Sequence, residues 1–213
     1  WHVNQLGKAR VRNVRRLSEK IGESISGIHD VHANDGARWP LSRKFGCAPD
    51  EAVPLLRHSL ANDWKLRFIE QMPLDAGGLW ARPVMVTADE IMTMLSAEFE
   101  LTPVPARGSA PAEEFYVDGG PATVGIIASV SRPFCAACDR LRLTADGQFR
   151  NCLFAQDETD VRSLVRDESL SEDEIRQGIA STLAKVTTAK LPGHGINDPS
   201  FIQPTRPMSA IGG

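Results

Sequence analysis

The sequence predicts an α/β fold that runs into an α+β portion with an antiparallel sheet. Three observations carry this prediction. A helix pattern at residues 50–62 is followed by Lys65-Leu-Arg-Phe-Ile-Glu-Gln-Met72, which reads as a short strand, and a helix leading into a buried strand is the unit of α/β folds. Strand candidates then come in series near 101–105, 113–118 and 122–130. Residues 141–144 and 148–154 flank Ala145-Asp-Gly147, and Asp-Gly suits the tight turn of a hairpin.

Residues 5–23 are basic, with Arg10, Arg12, Arg15 and Arg16, and Val11, Val14, Leu17 and Ile21 fall at helical spacing. This pattern predicts a solvated amphipathic helix; a phosphate-binding patch is the alternative. Residues 26–49 carry Gly27, Gly36, Pro40, Gly46 and Pro49 and define no element. Asp50 suits a helix N-cap, with Pro54 tolerated near the first turn. Residues 73–82 read as a loop around Gly77-Gly78. Thr87-Ala-Asp-Glu90 is a capping box, because hydroxyl and carboxylate each satisfy the other residue's backbone donor. Ile91, Met94, Leu95 and Phe99 form the apolar stripe of that helix. A short helix is expected at 159–166. A second capping box, Ser171-Glu-Asp-Glu174, opens a helix with Ile175, Ile179 and Leu183 on one face. The tail is rich in Gly and Pro and ends in Gly212-Gly213.

Composition narrows the function classes. The 213 residues are 42% hydrophobic, with Lys+Arg 24 against Asp+Glu 27 and net charge −3. No basic excess marks a nucleic-acid binder. No apolar run approaches the roughly 18–20 residues of a membrane span. The first residues, Trp-His-Val-Asn-Gln-Leu, have no secretory pattern, so a cytoplasmic location is expected. The sequence opens on Trp1 and not Met, which is simplest if it starts inside a longer chain.

Four cysteines are present, and Cys135, Cys138 and Cys152 fall within 18 residues. Such clustering favours metal or catalysis over disulfides in a chain without an export signal. A C-x-x-C turn points two thiolates at one centre, and the hairpin can return a third. Three thiolates can hold a 4Fe–4S cluster with one iron left open. Zinc with His194 as fourth ligand is the close rival, and no metal at all is the third reading. Arg140 and Arg142, two apart in a strand, share a face and can clamp a triphosphate. Surface pairing with Asp139 and Asp146 is the alternative for them. Arg132 could add to the same positive field; Ser129 and Ser131 read as donors there or as exposed loop hydroxyls.

These residues resemble the molybdenum cofactor biosynthesis protein A family, the radical-SAM GTP cyclases. The likeness runs from about residue 50 to the end. It includes Leu66-Arg-Phe-Ile-Glu-Gln-Met-Pro-Leu-Asp75, the run from Gly125 to Gly147 through the cysteine pair, Asn151-Cys-Leu-Phe154 and the final Gly212-Gly213. The resemblance implies that Cys135, Cys138 and Cys152 hold a 4Fe–4S cluster, and that Arg140, Leu141 and Arg142 line a GTP site. It implies that Met72, with Arg67 on the same strand, contacts S-adenosylmethionine; for Met72 alone, core packing is the plain reading. It also implies that Gly212 and Gly213 enter the active site, although a flexible end is all their sequence requires.

The implied fold is a remnant of an incomplete radical-SAM (β/α) barrel in residues 1–80, then an iron–sulfur and GTP-binding domain in 81–213. A full barrel takes about 200 residues or more, so residues 17–45, with Gly27-Ile-His-Asp30 and Asn34-Asp-Gly-Ala37, would be only a partial barrel segment. The radical-generating C-x-x-x-C-x-x-C loop is absent from these 213 residues, and Cys47 cannot supply it. A deletion, frameshift or gene fragment would explain that. The implied activity is cyclisation of GTP to the pterin precursor of molybdopterin, with GTP and S-adenosylmethionine bound, no nucleic acid or membrane partner, and a homodimer as a possible state. A GTP- or cluster-binding remnant without turnover and a zinc-stabilised module are the other readings.

Overall fold

The computed structural model describes residues 37–41 as backbone, and residues 51–74, 80–191 and 193–211 in full. The expected basic helix, Cys47, the segment 27–30, Gly77-Gly78 and Gly212-Gly213 lie outside the described residues. Two compact units are present. One takes in residues up to Gln71 together with Ala81–Pro133; the other joins Met72–Trp80 to Phe134–Gly213.

Among the described residues, the first unit is a five-stranded mixed sheet with two α-helices. In chain order it contains β1 (Ala37–Leu41), α1 (Ala52–Ala61), β2 (Leu66–Glu70), α2 (Ala88–Ser96), β3 (Leu101–Pro103), β4 (Glu113–Val117) and β5 (Thr123–Ile127). The strand order is β1-β2-β5-β4-β3. The β1, β2 and β5 strands run parallel, whereas β4 is antiparallel to β5 and β3 to β4. A mixed α/β fold containing antiparallel pairs is therefore present. Residue 80, the boundary expected from sequence, falls between β2 and α2, and the sheet is continuous across it.

Side chains explain these elements. Pro54 sits in the first turn of α1, where its missing N–H has no helical partner to lose. Along β2, Leu66, Phe68 and Glu70 are buried while Arg67 and Ile69 on the other face are half-buried. This period of two is the signature of a strand with one core face. Leu66 and Phe68 join Leu55 and Leu56 of α1, Ile91 and Leu95 of α2, and Val124 and Ile126 of β5 in one core cluster. The Thr87 box forms as expected: the Glu90 N–H donates to Thr87 Oγ1 at 3.3 Å and the Thr87 N–H to Glu90 Oε2 at 2.8 Å.

The second unit carries β6 (Arg142–Leu143), β7 (Gln148–Arg150), β8 (Thr159–Asp160), α3 (Arg162–Val165) and α4 (Glu172–Thr188). Its three strands are antiparallel in the order β6-β7-β8. The Asp-Gly hairpin is present, with Gly147 at φ 81°, a left-handed value that glycine adopts at no steric cost. Residues 159–160, expected as helix, pair with β7 instead. On α4, Ile175, Ile179 and Leu183 are half-buried and only Val186 is buried. A Cβ on Gly178 would meet Leu164 at 2.7 Å, so glycine is what lets α4 approach α3. Among the described residues no helix is long and apolar enough to cross a membrane.

Candidate functional site

Phe134 opens a 3-10 turn over Cys135–Ala137 that closes when the Cys138 N–H donates to the Cys135 carbonyl at 3.1 Å. The chain then extends through Arg140 and Leu141 into β6. The hairpin pairs Arg142 with Arg150, which places Cys152 two residues past that pair. Local turn chemistry and hairpin register thus bring the third cysteine back toward the first two. All three thiols are free and half-buried.

Each thiol has a polar setting. Cys135 accepts the backbone N–H of His194. Burial pushes its pKa up, the neighbouring Cys152 and Cys138 charges add to this, and the His194 N–H and Lys190 oppose it. Burial also raises Cys138, but hydrogen bonds from the Arg140 backbone and guanidinium outweigh it, with help from the Arg140 and Lys190 charges. The net direction for Cys138 is downward. The Arg140 guanidinium reaches Cys138 Sγ at 3.5 Å and lies 5.0 Å from the Phe134 ring centroid. Cys152 Sγ accepts the Phe154 N–H at 3.4 Å. Arg142 is lowered by burial first and then by the Arg140 charge, while Cys152 and Cys138 act the other way.

Cys135, Cys138, Cys152, Arg140 and Arg142 therefore share one electrostatic neighbourhood, and Leu141 lies half-buried between the arginines. Free thiols with N–H donors and cations around them are chemically suited to an iron–sulfur cluster. Yet no three His, Cys, Asp or Glu side chains among the described residues stand together as a metal-ligand set. The donors are right and the closure onto one point is not made. The His194 ring packs on Phe154 at 4.4 Å between centroids, and its Nδ1 accepts the Ile196 N–H at 3.2 Å.

Other expected residues lie elsewhere. Met72 is half-buried on the segment after β2, with its carbonyl accepting the Leu74 N–H at 2.8 Å. Arg67 pairs with Glu114 at 3.1 Å and lines a cavity of about 410 Å³ with Arg107 and Ile127. Arg132 is held by Asp89 at 3.6 Å and Glu113 at 3.9 Å. Ser129 is buried and not an exposed loop hydroxyl; Ser131 donates to Glu70. Asp146, the alternative partner for Arg140 and Arg142, is bound by Arg206 at 3.0 and 2.8 Å.

Sequence reasoning assigned no role to Glu70, Lys190 or Arg206. Glu70 is 1% exposed, and its carboxylate accepts the N–H groups of Ala88, Val130 and Ser131 at 2.7–2.8 Å. A carboxylate in register with Leu66 and Phe68 on the core face of the strand was the available signal. Lys190 and Arg206 have no local signature, because their partners are 39 to 60 residues away.

The chain is a member of the Molybdenum Cofactor Synthesis C family, whose family model matches residues 64–191. It is 55% identical over 170 residues to a GTP 3',8-cyclase of Streptomyces coelicolor, covering 79% of this chain and 48% of that protein. It is 56% identical over 200 residues to a GTP 3',8-cyclase of Mycobacterium sp. (strain KMS), covering 92% and 55%. A GTP 3',8-cyclase of Mycolicibacterium smegmatis is 53% identical over 169 residues, covering 77% and 45%. The chain spans about half the length of the relatives it matches.

Proposed function

We propose that this chain serves molybdenum cofactor synthesis as a GTP 3',8-cyclase-type protein and supplies the GTP-side half of that chemistry. In this reading Cys135, Cys138 and Cys152 hold a 4Fe–4S cluster, and Arg140, Leu141 and Arg142 receive GTP beside it. Met72 contacts S-adenosylmethionine, and Gly212-Gly213 reach the reacting centre. The parallel β1-α1-β2 unit is read as part of an incomplete (β/α) barrel. The observation that carries the proposal is the placement of three free thiols and two guanidinium groups in one electrostatic neighbourhood.

A cluster held by three thiolates leaves one iron open to a substrate atom. The protein's share is binding and orientation. Arg140 and Arg142 offer parallel N–H donors to phosphate oxygens, the geometry guanidinium groups suit best. Arg140 is steadied by Phe134 and Cys138, so less side-chain freedom is lost when it binds. Closure of the sulfurs onto one centre would accompany metal binding, which couples to local folding. The zinc reading is weaker, because the His194 ring packs at a tilt against Phe154 and the residue meets Cys135 through its backbone N–H.

Anaerobic reconstitution tests this. About four iron and four sulfide per chain are expected, and bound zinc with no sulfide would overturn the reading. GTP affinity of the reconstituted protein should fall about 10- to 100-fold in Arg140→Ala and in Arg142→Ala, the loss of a charge-assisted hydrogen-bonding group. These 213 residues alone should not cleave S-adenosylmethionine, since they contain no C-x-x-x-C-x-x-C loop.

A further inference from the structure

Lys190 follows Ala189, the C-cap of α4. Its ammonium donates to the Arg140 carbonyl at 2.9 Å and to the Asn151 carbonyl at 2.5 Å. Arg140 is two residues past Cys138, and Asn151 immediately precedes Cys152. One cation therefore bridges the two arms of chain that carry these thiols. The link is doubled, because Asn151 Nδ2 donates back to the Ala189 carbonyl at 3.0 Å. A lysine at a helix C-terminus is ordinarily explained by the helix dipole. That explanation falls short here, since both contacts go to the hairpin and neither to a carbonyl of α4. Lys190 is half-buried, and its two contacts fix the ammonium against the chain two residues past Cys138 and one residue before Cys152.

We infer that Lys190 is a positioning residue for the cysteine site: it staples the Cys138 and Cys152 arms together and places a fixed positive charge beside the sulfurs. The inference rests on the cluster reading above. Thiolates around a cluster concentrate negative charge, and reduction adds one more. A nearby fixed cation stabilises the reduced form and raises the reduction potential. The staple also holds the arms in register before metal arrives, as groups behind the ligands commonly do.

The test uses the full chain with Lys190→Met and Lys190→Arg, reconstituted anaerobically. Iron and sulfide content, rate of iron loss to a chelator, and midpoint potential by spectroscopic titration are the readouts. A wild-type chain that takes up no iron overturns the cluster reading itself. With wild-type uptake established, Lys190→Met should lose iron about tenfold faster and titrate at a more negative potential. Lys190→Arg, which keeps the charge, should stay near the wild-type potential. Wild-type potential and iron retention in Lys190→Met would overturn the role of Lys190 while leaving the cluster reading intact. If Lys190→Met takes up no iron, full uptake by Lys190→Arg supports the role, and equal loss in both overturns it.

Discussion

The two units are built on different physics. In the first, fifteen buried residues from both helices, from β2, β4 and β5 and from the segments beside them make one continuous apolar cluster. In the second, the described buried apolar side chains are six, Leu74, Phe154, Val161, Val186, Ile196 and Ile211. With so few, burial cannot carry the second unit as it carries the first. Directional polar links do much of that work. Arg150 is 2% exposed and pairs with Glu158. Arg206 joins Asp146 to Glu158. Lys190 joins two carbonyls. A region held this way keeps its apolar needs low and its charges fixed, which suits a site completed by a cofactor.

This comparison can be broken by experiment. Phe68 is fully buried in the first unit, so Phe68→Ala should cost about 3–5 kcal/mol of unfolding free energy in urea titrations. Arg150→Met removes a buried cation from the second unit. Breaking a buried ion pair costs about 3–5 kcal/mol, but Glu158 retains Arg206, so about 2–3 kcal/mol is expected. The contrast fails if Arg150→Met costs more than Phe68→Ala. It sharpens if reconstitution with iron offsets most of the Arg150→Met loss and little of the Phe68→Ala loss, since ligand binding stabilises the unit that holds the ligand.

What the sequence made legible follows the same division. The capping boxes at Thr87 and Ser171 and the Asp-Gly hairpin depend on residues a few positions apart, and all three are present. The strand expected near 122–130 is confined to Thr123–Ile127. Val130 looks like strand, but its N–H and that of Ser131 turn to Glu70, a partner 60 and 61 residues back. Thr159 and Asp160 look helical in the sequence because their pairing to Phe149 and Gln148 has no local trace. Cysteine and arginine spacing exposed the candidate site itself. The groups that support it, Lys190 and Arg206, stayed hidden because chain folding alone brings their partners near.

The smallest expected effect is also the most specific to the polar unit. Asp146 is held well below the usual carboxylate range, first by hydrogen bonds from Arg206 and then by Thr144. Arg206 is raised in return, chiefly by Asp146. A carboxylate whose pKa is depressed on folding adds stability that is complete above its unfolded value, about 3.9. That contribution is lost as pH falls below this value toward the folded one. The pair is exposed enough for solvent and salt to weaken it. Melting temperatures of wild type and Asp146→Asn should therefore differ most near neutral pH and converge below about pH 4. The gap should narrow in high salt. Parallel melting curves across that range would mean that Arg206 contributes through Glu158 alone. The hairpin turn would then owe nothing to its carboxylate.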